Sequence, residues 1–310
     1  MRIGVTGGSG FIGSHVVDAL VEAGHEVSVI DRLPPRRFDV EHRDVDLMDG
    51  EAMKGAVASL DVLFHLAAYA DVNDVARDPA GAVDTNIGGT LRALEAARAN
   101  SVERFILAST VWVYSSVVLP QQGASVDESA LISMDAGRHL YTSTKLASEL
   151  LVQDYLHMHG LPFTILRYGI PYGPRMRPSL VLPLFVHRAL AGEALTITGD
   201  GSQQRKFVYV TDLARAHVVA LQPQAENRTF NLDGNEEVTI LRIAQTVLRL
   251  TASEVPLQFL PARIGDYRGA DVSSAAAKRL LGWEPLVSFD DGARETVQWL
   301  MAEASLPVRR

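Results

Sequence analysis

The sequence predicts an α/β chain in which a doubly wound parallel sheet is followed by a smaller α+β lobe. Three observations carry that expectation. Apolar, strand-like runs alternate with amphipathic, helix-like runs through the first half of the chain. A glycine-rich turn, Gly7-Gly8-Ser9-Gly10-Phe11-Ile12-Gly13, joins the first strand to the first helix. After Arg167 the alternation stops, with prolines at 171, 174, 178 and 183, and helices mix with short strands. Apolar strands separated by helices imply parallel pairing with both sheet faces covered.

The elements follow in order. Arg2-Ile3-Gly4-Val5-Thr6 is a short β-rich run, and Ser14 to Ala23 reads as a helix with Val16, Val17, Leu20 and Val21 apolar. Gly7, Gly10 and Gly13 therefore occupy a G-x-x-G-x-x-G spacing at a strand-to-helix turn. Glycine there permits a sharp turn, close approach of backbone to a pyrophosphate, and tight packing of helix on strand. The N–H groups at the helix start then face the phosphate charge, and Gly7, Gly10, Phe11, Ile12 and Gly13 are the expected cofactor-binding residues of the turn. His25-Glu26-Val27-Ser28-Val29-Ile30 is the second strand and Asp31 ends it. An acid about 20 residues beyond the glycines accepts hydrogen bonds from an adenosine ribose and repels a 2′-phosphate. NAD is thus favoured over NADP, although Arg32, Arg36 and Arg37 soften the exclusion. The plainer alternative makes Asp31 a turn cap. This is a Rossmann-type beginning.

Asp61-Val62-Leu63-Phe64-His65-Leu66 is a buried strand, and Gly88 to Ala99 is a helix with Leu91, Leu94 and Ala97 on one face. Glu103 to Ser109 is the next strand. Leu140 to His159 forms a long helix closed by Gly160 and Pro162, a recognisable stop, and Pro162 to Arg167 is a further strand. Residues 1–166 are expected to form the dinucleotide-binding domain. Residues 167–310 are expected to form mainly a substrate-binding lobe, with some segments returning to the first domain.

Composition narrows the function. At 310 residues the chain can bury a large core. A formal charge of -8 argues against a general nucleic-acid binder. With no cysteine, disulfides and thiolate metal sites are excluded. No apolar stretch is long enough to span a bilayer, and the N-terminus runs directly into the glycine turn, so a soluble cytoplasmic protein is expected.

Tyr141-Thr142-Ser143-Thr144-Lys145 opens the long helix, and an i,i+4 spacing puts Tyr141 and Lys145 on one face. A free tyrosine titrates near pH 10. A nearby ammonium and a cationic nicotinamide ring favour the phenolate, which makes the tyrosine a base able to take a proton from a substrate alcohol. By itself, Y-x-x-x-K more often means a packing aromatic and an exposed lysine. Ser109 and Thr110 end a strand, where α/β sheets place ligand-binding groups, but serine and threonine also commonly begin loops. Among other candidates, His157 and His159 do not share a helix face. His65 reads as a satisfied core histidine, and His139 has no fixed direction.

In combination these residues resemble the extended short-chain dehydrogenase/reductase family, in particular its nucleotide-sugar epimerase branch. The resemblance runs nearly end to end. It includes Thr6 to His15, Asp31, Asp46-Leu47-Met48-Asp49, His65-Leu66-Ala67-Ala68, Asn86-Ile87-Gly88-Gly89-Thr90, Ser109-Thr110, and Tyr141 with Lys145. It continues through Leu166-Arg167-Tyr168, Tyr172-Gly173-Pro174, Phe207 to Asp212 and Leu281 to Pro285.

The resemblance implies that Thr110, Tyr141 and Lys145 are the catalytic set, with Thr110 and Tyr141 also touching substrate. It implies that Asp46 and Leu47 hold the adenine and that Ala67 and Ala68 lie along the cofactor phosphates. Asn86 and Tyr141 join the NAD site, and Lys145 also binds the nicotinamide ribose. Arg205, in Gly199 to Arg205, and Arg263 are implied anchors for the substrate diphosphate, a role suited to the guanidinium fork.

Two departures bear on the sugar. Ile170 stands where epimerases often carry an asparagine, and Lys206 stands where an acid usually follows the arginine; both would admit an acidic sugar as readily as a neutral one. Val111-Trp112-Val113 follow Thr110 where 4,6-dehydratases place Asp-Glu and decarboxylases a nearby glutamate. The expectation is therefore an NAD-dependent 4-epimerase of a UDP-hexose or UDP-hexuronic acid. A net keto-sugar reductase or secondary-alcohol dehydrogenase is the alternative, and a non-catalytic nucleotide sensor is a third reading. A homodimer formed through helices near 89–99 and 141–159 is implied by the resemblance.

Overall fold

The computed structural model describes residues 1–116, 125–132, 139–261 and 271–305. The chain divides into two compact units. One comprises Met1–Tyr168, Leu213–Leu232 and Ala270–Glu284; the other comprises Gly169–Asp212, Asp233–Gly269 and Pro285–Arg310.

The first unit begins with β1 (Arg2–Thr6), α1 (Phe11–Glu22), β2 (Glu26–Ile30), β3 (Glu41–Arg43), α2 (Gly50–Val57) and β4 (Val62–His65). It continues through α3 (Val72–Arg77), α4 (Pro79–Val83), α5 (Gly89–Ala99), β5 (Arg104–Thr110), α6 (Leu140–His159) and β6 (Phe163–Tyr168). The second unit supplies β7 (Ile170–Tyr172), α7 (Val181–Ala191), β8 (Leu195–Thr198) and β9 (Gln204–Tyr209). Helix α8 (Val210–Val219) passes from the second unit into the first, where β10 (Arg228–Leu232) follows. The second unit resumes with β11 (Glu237–Thr239), α9 (Ile240–Thr251) and β12 (Leu257–Leu260). Helix α10 (Ala275–Leu281) belongs to the first unit and α11 (Phe289–Ser305) to the second.

The central sheet has seven strands in the order β10-β6-β5-β4-β1-β2-β3, and every pairing is parallel. The chain runs outward from β1 through β2 to β3, then returns to place β4 on the other side of β1. That reversal opens a crevice beyond the carboxyl ends of β1 and β4, the place where open α/β sheets bind ligands. β4, with all four residues buried, shows the continuous apolar run of a strand covered on both faces. One face packs against α2, α5 and α6 through Met53, Leu94, Phe105, Val152 and Ile165, among other buried side chains.

Helix α1 starts at Phe11 rather than Ser14. The Gly10 carbonyl accepts the Ser14 N–H at 3.0 Å, so the helix begins directly at the glycine turn. Helix α6 has the expected limits, and Gly160 closes it in the left-handed region at φ 67, which glycine enters without steric cost. Before α5, Asp84–Gly88 form a π-helical turn that apolar spacing does not reveal. The second unit holds a three-stranded sheet, β11-β9-β7, and a parallel pair, β12-β8, with α7, α9 and α11. Among the described residues, no helix is long and apolar enough to cross a membrane.

Candidate active site

The glycine turn is shaped by backbone proximity. Gly7 has φ +70, and a Cβ there would lie 2.7 Å from Ala67 N. Its N–H donates to Ile30 O at 3.1 Å, and its carbonyl accepts from Gly10 N at 3.1 Å. A Cβ at Gly13 would run into the Gly7 carbonyl oxygen, whereas one at exposed Gly10 would meet that oxygen at 3.2 Å. The turn thus presents bare backbone at the start of α1, as a cradle for a pyrophosphate requires. Phe11 and Ile12 are half-buried in the first turn of the helix.

Asp31 follows β2 and is half-buried. Its Oδ2 accepts from Ser9 N at 3.1 Å and its Oδ1 from Leu33 N at 3.0 Å, which ties the acid to the glycine turn. The carboxylate is therefore both the turn cap of the plainer reading and a fixed negative charge beside the glycine turn. Asp46 is exposed, accepts from Met48 N at 2.9 Å, and faces Arg32 Nη1 at 3.5 Å. Leu47 packs so closely on Gly89 that any side chain there would collide with it.

Next to the turn, His65 forms a buried hydrogen-bonded chain. Its Nδ1 lies 2.8 Å from Thr6 Oγ1 and its Nε2 lies 3.1 Å from Thr90 Oγ1. Thr90 Oγ1 donates to Asn86 O at 2.5 Å, and Ala67 N donates to Thr6 Oγ1 at 3.3 Å. A neutral ring protonated at Nε2 satisfies all of these groups in one direction, from the Ala67 amide to the Asn86 carbonyl. Burial holds the imidazole down to about pH 3, with Lys145 adding to the effect. His65 is accordingly the satisfied core residue expected, and it links Ala67 to the π-helical turn. Ala68 follows, half-buried. Asn86 clamps the next residue, accepting from Tyr69 N at 2.7 Å and donating to Tyr69 O at 3.1 Å, while its Nδ2 also reaches Thr144 Oγ1 at 2.9 Å on α6.

Thr110, Tyr141 and Lys145 all lie in this first unit. Lys145 is 4% exposed, and its ammonium donates to Ala108 O at 3.0 Å at the end of β5. Burial draws the ammonium down to about pH 8 while Glu149 opposes that fall. Tyr141, one helical turn earlier, is half-buried, and its ring meets the Trp112 ring edge-on with centroids 6.4 Å apart. Trp112 N donates to Thr110 Oγ1 at 3.2 Å, and the Trp112 ring also packs on His139 at 5.9 Å. Trp112 therefore touches both the tyrosine and the threonine.

Strand alternation separates the two hydroxyls that the sequence left open. Ser109 pairs in register with Arg167 and turns to α6, where its Oγ donates to Glu149 Oε1 at 2.5 Å. Thr110 pairs with Tyr168 and, by the same alternation, does not share the sheet face of Ser109. The Tyr168 phenol is buried and lies 2.5 Å from His217 Nε2; His217 Nδ1 donates to Leu213 O at 2.8 Å, so Nε2 accepts the phenol proton. Burial pushes Tyr168 well above its ordinary value, and the charge of a Tyr141 phenolate would push it further.

Of the proposed diphosphate anchors, Arg205 lies on β9 of the second unit, half-buried, and donates to Gln204 O at 2.7 Å. Arg263 lies outside the described residues. Ile170 lines an apolar cleft of the second unit with Tyr172, Met176, Phe207 and Phe289, surroundings that suit isoleucine and would strand an amide. Sequence reasoning missed the Glu149–Arg167 pair, the Tyr168–His217 pair and the Asn86 clamp. Glu149 had one usable signal, its place four residues after Lys145.

A glycine cradle at the switch point, an acid after β2, and Tyr141 with a buried Lys145 on α6 define a dinucleotide-dependent α/β enzyme class. The profile of the NAD dependent epimerase/dehydratase family matches residues 3–233. The chain belongs to this family, part of the extended short-chain dehydrogenases/reductases, and the family's cofactor is NAD. It is 34% identical over 309 residues to UDP-glucuronic acid decarboxylase 1 of Danio rerio, covering 97% of this chain and 73% of the relative. It is 32% identical over 339 residues to dTDP-glucose 4,6-dehydratase 1 of Escherichia coli, covering 97% and 93%. The structure of the UDP-glucose 4-epimerase of Thermotoga maritima with UDP-glucose superposes with a TM-score of 0.87 at 32% identity, covering 98% of this chain and all of that one. These relatives carry the names of three different reactions on nucleotide sugars.

Proposed function

We propose that this protein is an NAD-dependent nucleotide-sugar 4-epimerase acting on a UDP-hexose or UDP-hexuronic acid. The observation that carries the reading is local: Val111, Trp112 and Val113 follow Thr110, beside a Tyr141–Lys145 turn whose lysine is buried. Elimination of water needs an acid and a base placed on the sugar. Here the Trp112 ring packs on Tyr141 instead.

The glycine turn, Asp31, Asp46, Leu47, Ala67, Ala68 and Asn86 would hold NAD, which when bound supplies the acceptor and donor of hydride. Tyr141 takes the proton of the sugar 4-hydroxyl and returns it after the 4-keto sugar has turned over. Lys145 favours the phenolate and has ammonium protons beyond its bond to Ala108 O for the cofactor ribose. Thr110 hydrogen-bonds the reacting oxygen. Arg205 and Arg263 grip the diphosphate, leaving the sugar free to rotate.

The relative from Danio rerio favours one second reading. Oxidation at C4 of a hexuronic acid makes a β-keto acid, which loses carbon dioxide unless the site keeps the carboxylate in the sugar plane. A panel of nucleotide sugars assayed without added NAD, with products read by NMR, decides between them. Inversion at C4 without net NADH supports the epimerase; pentose product, 6-deoxy-keto product or stoichiometric NADH overturns it.

A further inference from the structure

Glu149 has no part in the chemistry above, yet it is among the most enclosed charges in the first unit. It lies one helical turn beyond Lys145 on the same face of α6 and is 1% exposed. Arg167 grips it bidentately, Nε to Oε1 at 2.9 Å and Nη2 to Oε2 at 2.6 Å, and Ser109 donates to Oε1. Arg167 Nη1 donates to Tyr114 OH at 2.6 Å, and Tyr114 OH donates to Asn231 Oδ1 at 2.9 Å. The guanidinium also lies over the Tyr114 ring, 5.0 Å from its centroid.

Stability alone is a poor explanation for this arrangement. Removing a carboxylate and a guanidinium from water costs about what their attraction returns, so apolar residues of similar volume would serve as well. What apolar residues could not supply is a fixed negative charge beside a buried cation. Lys145 needs one. Among the described residues its only hydrogen bond runs to a neutral carbonyl, and a buried ammonium so placed sheds its proton readily. The titratable groups on its own helix and on the elements around it include His65 on β4, Tyr114 after β5, Tyr141 and Glu149 on α6, and Arg167 and Tyr168 on β6. His65 is held neutral, and the phenols of Tyr114 and Tyr168 are pushed upward by burial. Glu149 is the one group that raises the lysine's hold on its proton.

We propose that Glu149 is a positioning residue for Lys145: clamped by Ser109 and Arg167, its carboxylate keeps Lys145 in the ammonium form and fixes the turn of α6 that carries Tyr141 against β5 and β6. The inference rests on the reading of Lys145 as the partner of Tyr141. Arg167 holds Glu149 in one rotamer through its two-point grip.

The test compares wild-type protein with Glu149→Gln, both carrying their bound dinucleotide, by NMR titration of lysine labelled at Cε and by kcat from pH 6 to 8. The Lys145 midpoint is expected to fall by about one pH unit. The loss in kcat should then grow from about 1.1-fold at pH 6 to about fivefold at pH 8, with KM little changed. An unmoved midpoint with a loss equal at every pH overturns the inference, since a packing role alone would give that result. If Glu149→Gln does not fold, the double variant Glu149→Gln/Arg167→Met leaves no charged Arg167 without its partner, and a downward midpoint shift is again expected. Failure of both variants to fold also overturns it. Wild-type protein that inverts no nucleotide sugar defeats the functional reading instead, while the lysine titration still reports on Glu149.

Discussion

Two buried histidines should make this protein acid-sensitive well above the range in which carboxylates titrate. His65 is held to about pH 3 and His217 to about pH 4, both chiefly by burial. An unfolded chain returns each to about 6.5. Below that value the unfolded state binds protons that the folded state refuses, so stability is complete above 6.5 and declines as pH falls. Each refused proton costs roughly 1.4 kcal/mol per pH unit. Between pH 7 and pH 5 each histidine loses the equivalent of about 1.4 such units, or roughly 2 kcal/mol, and the two together lose about 4 kcal/mol. Urea unfolding followed by tryptophan fluorescence at the two pH values reads this directly. Replacing His217 with glutamine should remove about half of the difference. Protonating His65 also breaks its acceptance of the Thr6 hydroxyl, which holds the Ala67 amide beside the glycine turn. Equal stability at pH 5 and pH 7, or NMR signals of His65 or His217 titrating near 6.5 in the folded protein, would refute the reasoning.

Three further outcomes are expected at the site. Gly13→Ala should abolish dinucleotide binding by calorimetry while leaving the sheet intact by circular dichroism, because the added methyl meets the Gly7 carbonyl. Asp31→Ser should weaken NAD and strengthen NADP, shifting their affinity ratio by at least about tenfold, or about 1.4 kcal/mol; an unchanged ratio would leave Asp31 as a turn cap only. Tyr141→Phe should lower kcat by about 10²- to 10⁴-fold while the protein still copurifies with its dinucleotide. Loss of the dinucleotide in that variant would point to a binding role instead.

The legible part of the fold was the part written in local rules. The glycine spacing after a short apolar strand fixed β1, the turn and α1, and Gly160 with Pro162 marked the end of α6. β3 was not legible, since Glu41-His42-Arg43 is a polar edge strand with no apolar period. Nor was the π-helical turn at Asp84–Gly88, where the chain lacks the 3.6-residue repeat that announces a helix. Tyr141 and Lys145 could be placed on one face from spacing alone. The Glu149–Arg167 pair could not, because a helix glutamate and a strand arginine are exposed by default. Their pairing depends on α6 folding back over β5 and β6, where the register sets Arg167 beside Ser109. Likewise, only strand alternation in the folded sheet assigns Ser109 to Glu149 and leaves Thr110 on the opposite side.

The most direct measurement of the central claim tracks the hydrogen at C4. A UDP-hexose or UDP-hexuronic acid carrying deuterium at that carbon would be incubated in ordinary water without added NAD, and the product examined by NMR. Hydride held within the site predicts an inverted C4 that keeps its deuterium, with no NADH released to solution. An inverted C4 carrying solvent hydrogen, or any product that has lost its carboxyl group or a water, would contradict the account.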